Sequence, residues 1–154
     1  MNEEGTRTGV HTACVEDQLR LAASRLRDAI IQSPRDDIDA FRDFPRGSCG
    51  DASILLGEYL HQTGHGDREY VTGERISDFY PHAWVERDGL IIDITADQFD
   101  GIDQPVIITD DPSWHRQFSN REPRHPALID IYDPATRERL RDIYVRVTTS
   151  VTST

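Results

Sequence analysis

The chain has few cysteines and no apolar run long enough to cross a membrane. Its two cysteines, Cys14 and Cys49, are far apart and form neither a disulfide framework nor a paired C-x-x-C zinc motif. Residues 1–9 lack the basic start and the apolar core of a secretory signal. These absences favour a reducing, cytoplasmic compartment and no contact with membranes.

Positive charge is also scarce, with 17 basic against 28 acidic side chains and a formal net charge of -11. This charge repels nucleic-acid phosphates and anionic lipid surfaces, so neither is an expected partner. A chain of 154 residues, 36% of them hydrophobic, has the size of one globular domain. We expect that domain at 13–148, with a flexible lead at 1–12 and a flexible tail at 149–154.

Apolar residues recur at helical spacing in several segments of the chain. The spacing predicts helices at 13–32, 49–63 and 134–147, and a shorter helix at 35–44 that ends before a proline. Each long segment has a start or stop residue of the type that helices favour, such as the aspartate and proline that open the last one. The helices are therefore expected before and after the central part of the chain.

The central part of the chain shows the pattern of a β-sheet. Asp88 and Gly89 form the dipeptide that best suits a type I′ turn, which predicts a hairpin over 82–95. Further strands are expected at 68–77 and 104–109. Together with the helices, this order predicts an α+β domain with helices on one face of an antiparallel sheet of three or four strands.

Cys49 follows a proline and a glycine in "FPRGSCGDASILL", where a helix is expected to begin. A helix N-terminus stabilises a thiolate, because it directs unpaired N–H groups and the positive end of the helix dipole toward the sulfur. The N–H groups of Ser48, Cys49 and Gly50 would also face the oxyanion of a tetrahedral intermediate. We interpret Cys49 as a nucleophile, whereas Cys14 has no base nearby in the sequence and is interpreted as packing or exposed.

His82 opens the first strand of the hairpin, where a side chain can face a cleft and act as a base. The turn places Asp93 opposite Trp84, one diagonal step from His82 on the same face of the sheet. A carboxylate in an apolar strand needs a partner, so we expect a hydrogen bond between His82 and Asp93. Asp97, beyond the strand, is the alternative orienting carboxylate.

The segments "GSCGDASILLGEYL" and "HAWVERDGLIIDIT" resemble the transglutaminase-like branch of the papain-like thiol enzymes. The resemblance covers residues 45–96. It implies a papain-like core in which the helix that begins with the cysteine packs on a small antiparallel sheet. It also implies a triad of Cys49 as nucleophile, His82 as base and acid, and Asp93 as orienting group. No glutamine precedes the cysteine as oxyanion donor, so backbone N–H groups, with the Trp84 indole, would take that role.

Gln98 and the group of Glu58, His61 and His65 each have a functional interpretation and a simpler, structural one. Gln98 is a candidate for lining the cleft, although a loop glutamine is most often solvated. Glu58, His61 and His65 invite a metal site, but Gly64 ends the helix between them, so an exposed helix end is favoured and no metal is expected.

A basic loop follows the sheet in the sequence. Its most direct interpretation is a solvated loop that pairs with neighbouring aspartates; the alternative is a recognition site for an acidic peptide or a carboxylate. Its basic residues are His115, Arg116, Arg121, Arg124 and His125.

The pattern as a whole predicts a thiol hydrolase that acts on an amide bond of a peptide or protein, as a cysteine peptidase or a glutamine deamidase. No metal or organic cofactor is required. Transamidation or acyl transfer to an amine is an alternative, although nothing in so short a chain indicates a second site for an amine. A non-catalytic protein-binding module on the same fold is the other alternative.

Overall fold

Three α-helices and a six-stranded antiparallel sheet form the protein in a computed structural model, which describes residues 3–34, 38–119 and 121–152. The helices are α1 (Glu3–Gln32), α2 (Cys49–Gln62) and α3 (Pro134–Thr152). The protein is therefore a mixed α+β fold, as the sequence predicts. Among the described helices, none has the length and apolar character that crossing a bilayer requires.

The helices are longer at the chain ends than the apolar spacing predicts. Helix α1 already begins at Glu3 and α3 continues to Thr152, so the segments expected as lead and tail are helical where they are described. Residues 1–2 and 153–154 lie outside the described residues. Polar residues can extend a helix once it is nucleated, because each added residue gains a backbone hydrogen bond. Periodicity of apolar residues alone cannot locate such ends.

The starts and stops of the helices follow the capping residues. The Thr136 N–H donates to Asp133 Oδ2 at 3.1 Å, which confirms Asp133 as the N-cap of α3. After α2, Gly64 has a positive φ of 83°. The short helix expected at 35–44 is reduced to one 3₁₀ turn at Asp39–Phe41, and residues 35–37 fall outside the described part of the chain.

The first four strands are those that the sequence predicts: β1 (Glu69–Arg75), β2 (Pro81–Arg87), β3 (Leu90–Asp93) and β4 (Ile107–Thr109). Two strands of two residues each, β5 (Phe118–Ser119) and β6 (His125–Pro126), were not predicted, since they are too short for an alternating pattern. The sheet order is β4-β3-β2-β1-β5, and β6 also pairs with β1.

The hairpin of β2 and β3 has the predicted turn and register. Asp88 and Gly89 both have positive φ angles, 51° and 82°, as a type I′ turn requires. Val85 pairs with Ile92. This register sets which side chains of the two strands share a face.

The two faces of the sheet have different neighbours. One face, which includes Val85 and Ile92, packs in a single core with all three helices. The other face, which includes Trp84, packs against Phe99 and Phe118 in a smaller aromatic core. The helices therefore lie on one face, as predicted, and the segment after β3 covers the opposite face.

Candidate active site

Cys49 is the first residue of α2 and is half-buried. The first helical hydrogen bond runs from the Ala52 N–H to the Ser48 carbonyl at 2.9 Å. The N–H groups of Cys49, Gly50 and Asp51 come before that bond and are the unpaired donors of the helix start. The sulfur thus lies at a helix end whose donors are available to an anion.

The turn before α2 is fixed by Gly47 and Ser48. Gly47 has a φ of 68°, which side chains rarely adopt, and so lets the chain turn into the helix. The Ser48 hydroxyl donates to the carbonyls of Ala40 and Arg46, at 2.9 and 3.1 Å, and the residue is buried. Ser48 therefore supports the turn through its side chain, and only its backbone is left for the predicted oxyanion role.

His82 and Asp93 form the predicted hydrogen bond. His82 Nε2 lies 2.7 Å from Asp93 Oδ2, and both side chains are fully buried. The other carboxylate oxygen accepts the Thr95 N–H at 3.0 Å. The alternative carboxylate, Asp97, instead pairs with Arg27 of α1, at 2.6 Å between Nη2 and Oδ2. Asp93 is thus the carboxylate that holds the imidazole.

Electrostatics favour a charged imidazole in this pair. Burial lowers the pKa of His82, but the charge and hydrogen bond of Asp93, with further contributions from a hydrogen bond and charge interaction with Cys49, raise it to about 9. Burial likewise favours the neutral form of Asp93, yet the charge of His82 and the hydrogen bonds of His82 and His115 hold the pKa of Asp93 well below its usual range.

His115 is a third member of this polar cluster that the sequence analysis missed. Its Nε2 lies 2.8 Å from the same oxygen, Asp93 Oδ2, and its side chain is buried. Its Nδ1 has no hydrogen-bond partner within the described ranges. The expectation of a solvated loop is thus wrong for His115. The sequence signal that could have identified His115 is the four-residue spacing of Trp114 and Phe118. These two residues lie on either side of His115 in the chain and pack in the aromatic core.

Three other residues of the basic loop also contact the sheet, whereas Arg116 is exposed, as a solvated loop predicts. Arg121 lies over the Trp84 ring, with 5.1 Å between its guanidinium carbon and the ring centre. Arg124 pairs with Glu86 at 2.9 Å. His125 stacks on Tyr70 at 4.9 Å.

Trp84 does not supply an oxyanion donor. Its side chain is fully buried, and its indole N–H donates to Glu86 Oε1 at 2.9 Å. It packs against His115 and Phe118, with ring centres 4.6 and 5.8 Å away. This placement corrects the predicted role of Trp84, because a donor already used by a buried carboxylate cannot turn toward a substrate.

Gln98 lies on the Nδ1 side of the buried His82 ring. Its Nε2 donates to the Thr95 carbonyl at 3.0 Å and lies 3.5 Å from His82 Nδ1. Its Oε1 lies 3.4 Å from the Tyr80 hydroxyl. Because Asp93 uses Nε2 of the imidazole, Nδ1 is the nitrogen left for proton exchange with a thiol, and Gln98 borders it.

Aromatic residues border the helix start on the other side. A Cβ added to Gly50 would lie 3.3 Å from the Tyr70 hydroxyl, so that hydroxyl lies close to the backbone beside Cys49. Burial, with a smaller contribution from the charge of Cys49, raises the pKa of Tyr70. Tyr132 meets His125 edge-on, with 5.7 Å between ring centres. Tyr70, His125 and Tyr132 thus form a row of ring contacts that begins beside the start of α2.

The buried cluster has the residue types of a metal site but not the spacing of one. His82, Asp93 and His115 each offer one ligand atom, and these atoms lie within 4.8 Å of one another. The N to O separations of 2.7 and 2.8 Å are hydrogen-bond lengths. Ligands of a tetrahedral ion with metal bonds of about 2.0 Å lie farther apart, at about 3.3 Å. The arrangement therefore fits protons between these groups better than an ion.

Glu58, His61 and His65 do not come together as a metal site. Glu58 is buried, and its Oε1 accepts the Ile129 N–H at 3.0 Å. His61 lies on the surface and pairs with Asp67 at 2.5 Å. In the part of the chain that the structure describes, these residues form no ligand group.

Comparison of the chain with protein-family models, with curated proteins and with solved structures found no match.

Proposed function

We propose that the protein is a thiol hydrolase that cleaves an amide bond of a peptide or protein, with Cys49, His82 and Asp93 as its triad on a papain-like, transglutaminase-like core. The single observation that carries the proposal is the position of the His82 imidazole. Asp93 holds its Nε2 at 2.7 Å, and the ring also interacts with Cys49 at the start of α2. Covalent catalysis needs a nucleophile, a base and a group that orients the base.

The first half of the reaction forms an acyl-enzyme. The Cys49 thiolate attacks the carbonyl carbon, and the N–H groups of Cys49 and Gly50 donate to the oxyanion. The imidazolium of His82 then gives its proton to the leaving amine, the C–N bond breaks, and a thioester with Cys49 remains. Asp93 keeps the imidazole oriented and stabilises its charge.

The second half of the reaction hydrolyses the thioester and releases the carboxylic acid product. Neutral His82 accepts a proton from water as the water attacks the thioester carbon, and the Cys49 thiolate leaves. The enzyme returns to its thiolate and imidazolium state. Cleavage of a main-chain amide gives two peptides, and cleavage of a glutamine side chain gives glutamate and ammonia. An amine in place of water would give transamidation through the same thioester.

Mass analysis of products tests the proposal. A peptide library and a cell lysate are incubated with wild-type protein, with Cys49→Ala and with Cys14→Ala. We expect products with wild type and Cys14→Ala and none with Cys49→Ala. New fragments would identify a peptidase, unit mass gains at glutamine a deamidase, and cross-linked species a transamidase.

The same experiment can overturn the proposal. Identical product profiles for wild type and Cys49→Ala, together with a Cys49 that iodoacetamide alkylates no faster than Cys14, would contradict an enzyme. The fold would then be that of a binding module.

A further inference from the structure

A recess of about 360 Å³ opens beside Gln98 and thus adjoins the His82 ring. It is built from the turn before α2, the end of β1 and the segment after β3. Its lining residues are Arg46, Arg75, Tyr80, Gln98, Phe99 and Asp100. Gln98 lines this recess and its Nε2 lies 3.5 Å from His82 Nδ1, so the recess adjoins the base of the proposed triad.

The two arginines of the recess differ in how far their charge is compensated. Arg75 makes two hydrogen bonds to Asp78, at 2.9 and 2.6 Å, and its guanidinium carbon lies 5.0 Å from the centre of the Phe99 ring. Its position is therefore held from two sides. The exposed Arg46 guanidinium has no hydrogen bond or ion pair to any described residue. Within the described ranges it is therefore an unpaired cation, three residues before the proposed nucleophile in the sequence.

We infer that this recess binds a carboxylate of the substrate next to the amide that is cleaved, an inference that rests on the proposed thiol hydrolase function. A guanidinium presents paired N–H donors that match the two oxygens of a carboxylate. Arg46 supplies the free charge, and Arg75, fixed by Asp78 and Phe99, supplies a positioned second cation. Asp100 also lines the recess, so one negative charge lies in the same lining as the two arginines.

Alkylation of Cys49 by two small reagents tests the inference without a known substrate. Iodoacetate and iodoacetamide react alike, since the thiolate attacks the methylene carbon, an S–C bond forms and iodide leaves with the C–I electrons. They differ in that iodoacetate carries a carboxylate. Peptide mass analysis measures both rates at Cys49 and, in the same molecules, at the exposed Cys14, which serves as the internal reference.

We expect the iodoacetate to iodoacetamide rate ratio to be higher at Cys49 than at Cys14. Arg46→Gln should lower the ratio at Cys49 by about two- to fivefold, the range expected for one exposed charge pair. Arg46→Lys should retain part of the preference. The matched control is Arg146→Gln, which removes the same charge from the surface of α3, where Arg146 pairs with Asp142, and should leave the ratio unchanged.

The outcomes separate this inference from the proposed function. A ratio that Arg46→Gln leaves at the wild-type value overturns the carboxylate site, whatever the absolute rates are. A Cys49 that reacts with iodoacetamide no faster than Cys14 contradicts the thiol hydrolase instead. A Cys49 inert to both reagents contradicts both.

A second arm identifies the source of the carboxylate. Short peptides are tested for protection of Cys49 against iodoacetamide: one with an internal glutamate and an amidated C-terminus, one neutral with a free C-terminus, and one neutral and amidated. Protection by the first peptide indicates an acidic side chain, and protection by the second indicates a chain terminus. If all three peptides protect Cys49 equally, or if none of them protects it, recognition of a carboxylate is contradicted.

Discussion

His115 Nε2 and His82 Nε2 approach the same carboxylate oxygen, Asp93 Oδ2, at 2.8 and 2.7 Å. The other oxygen of Asp93 accepts the Thr95 N–H, so the carboxylate has three donors in a buried position. Each donor stabilises the charged form and lowers the pKa of Asp93. In the proposed reaction, His115 acts on His82 through Asp93, as a positioning residue.

Removal of His115 should change the pH dependence of the Cys49 thiol. In His115→Ala, Asp93 loses one donor, so its pKa rises toward the ordinary value and the carboxylate protonates earlier on acidification. We expect the acid limb of the iodoacetamide rate at Cys49 to move to higher pH. His115→Gln, which keeps an N–H donor, should restore part of the profile.

The control for this experiment is His61→Gln, since His61 lies on the surface and pairs with Asp67, away from the cluster. Its profile should match that of wild type. If His115→Ala lowers the rate equally at every pH, His115 only supports the fold and the positioning role is wrong.

The contact of His82 with Asp93 could be predicted from the sequence because it depends on local rules. The turn at Asp88 and Gly89 sets the register, and the register brings the two side chains to one face. His115 could not be found in this way. It lies 22 residues after Asp93 and reaches it only through the packing of the aromatic core.

Trp84 shows why a strand residue beside a histidine is hard to assign from sequence. Alternation places Trp84 on the same face as His82, but it does not tell which acceptor the indole N–H finds. That acceptor is Glu86, whose charge is in turn paired with Arg124. A charge that the sequence does not mark as buried, Glu86, thus becomes a buried partner, a consequence of tertiary packing.

Substitution of the two candidate carboxylates separates a catalytic from a structural role. Asp93→Asn should lower the iodoacetamide rate of Cys49 at mildly acidic pH by at least about tenfold, because the imidazolium loses its stabilising charge. Asp97→Asn should leave that rate unchanged and lower the free energy of unfolding by about 2 kcal/mol, because it weakens a partly buried pair with Arg27. Rates are measured by peptide mass analysis and stability by urea denaturation.

The opposite pattern, with the rate lost in Asp97→Asn and retained in Asp93→Asn, would falsify the proposed triad.

The stability of the folded protein should depend on pH through His82. Its pKa in the folded state, about 9, lies above the ordinary histidine value of about 6.5. The stabilisation from its charged form is therefore fully present below about pH 6.5 and is lost as the pH rises through 9. Asp93 has a lowered pKa, so its contribution is present above the ordinary value of about 4 and is lost on further acidification.

We therefore expect the difference in free energy of unfolding between wild type and His82→Gln to be largest between about pH 4 and 6.5 and to shrink toward pH 9. Urea denaturation at several pH values measures it. His61→Gln serves as the surface control. A difference that stays constant across this range would show that His82 contributes by packing and not by charge.

The close contact of α2 with the segment before α3 requires a glycine at position 57. A Cβ added to Gly57 would lie 2.2 Å from the Ala127 carbonyl oxygen and 2.3 Å from the Ala127 Cβ. In an exposed helix, Gly→Ala stabilises by about 1 kcal/mol. Here the helix must shift, and we expect Gly57→Ala to destabilise the protein by about 1 to 3 kcal/mol.

The test is the sign of the change in the free energy of unfolding, which urea denaturation measures. A gain in stability would mean that α2 does not lie this close to Ala127. The double variant Gly57→Ala with Ala127→Gly removes the contact between the two Cβ atoms but leaves the carbonyl oxygen, so it should recover only part of the loss.

Because α2 begins with Cys49, a shift of the helix should also lower the iodoacetamide rate of Cys49 relative to Cys14. A destabilised Gly57→Ala with an unchanged rate would indicate that the helix start holds its position independently of the rest of α2.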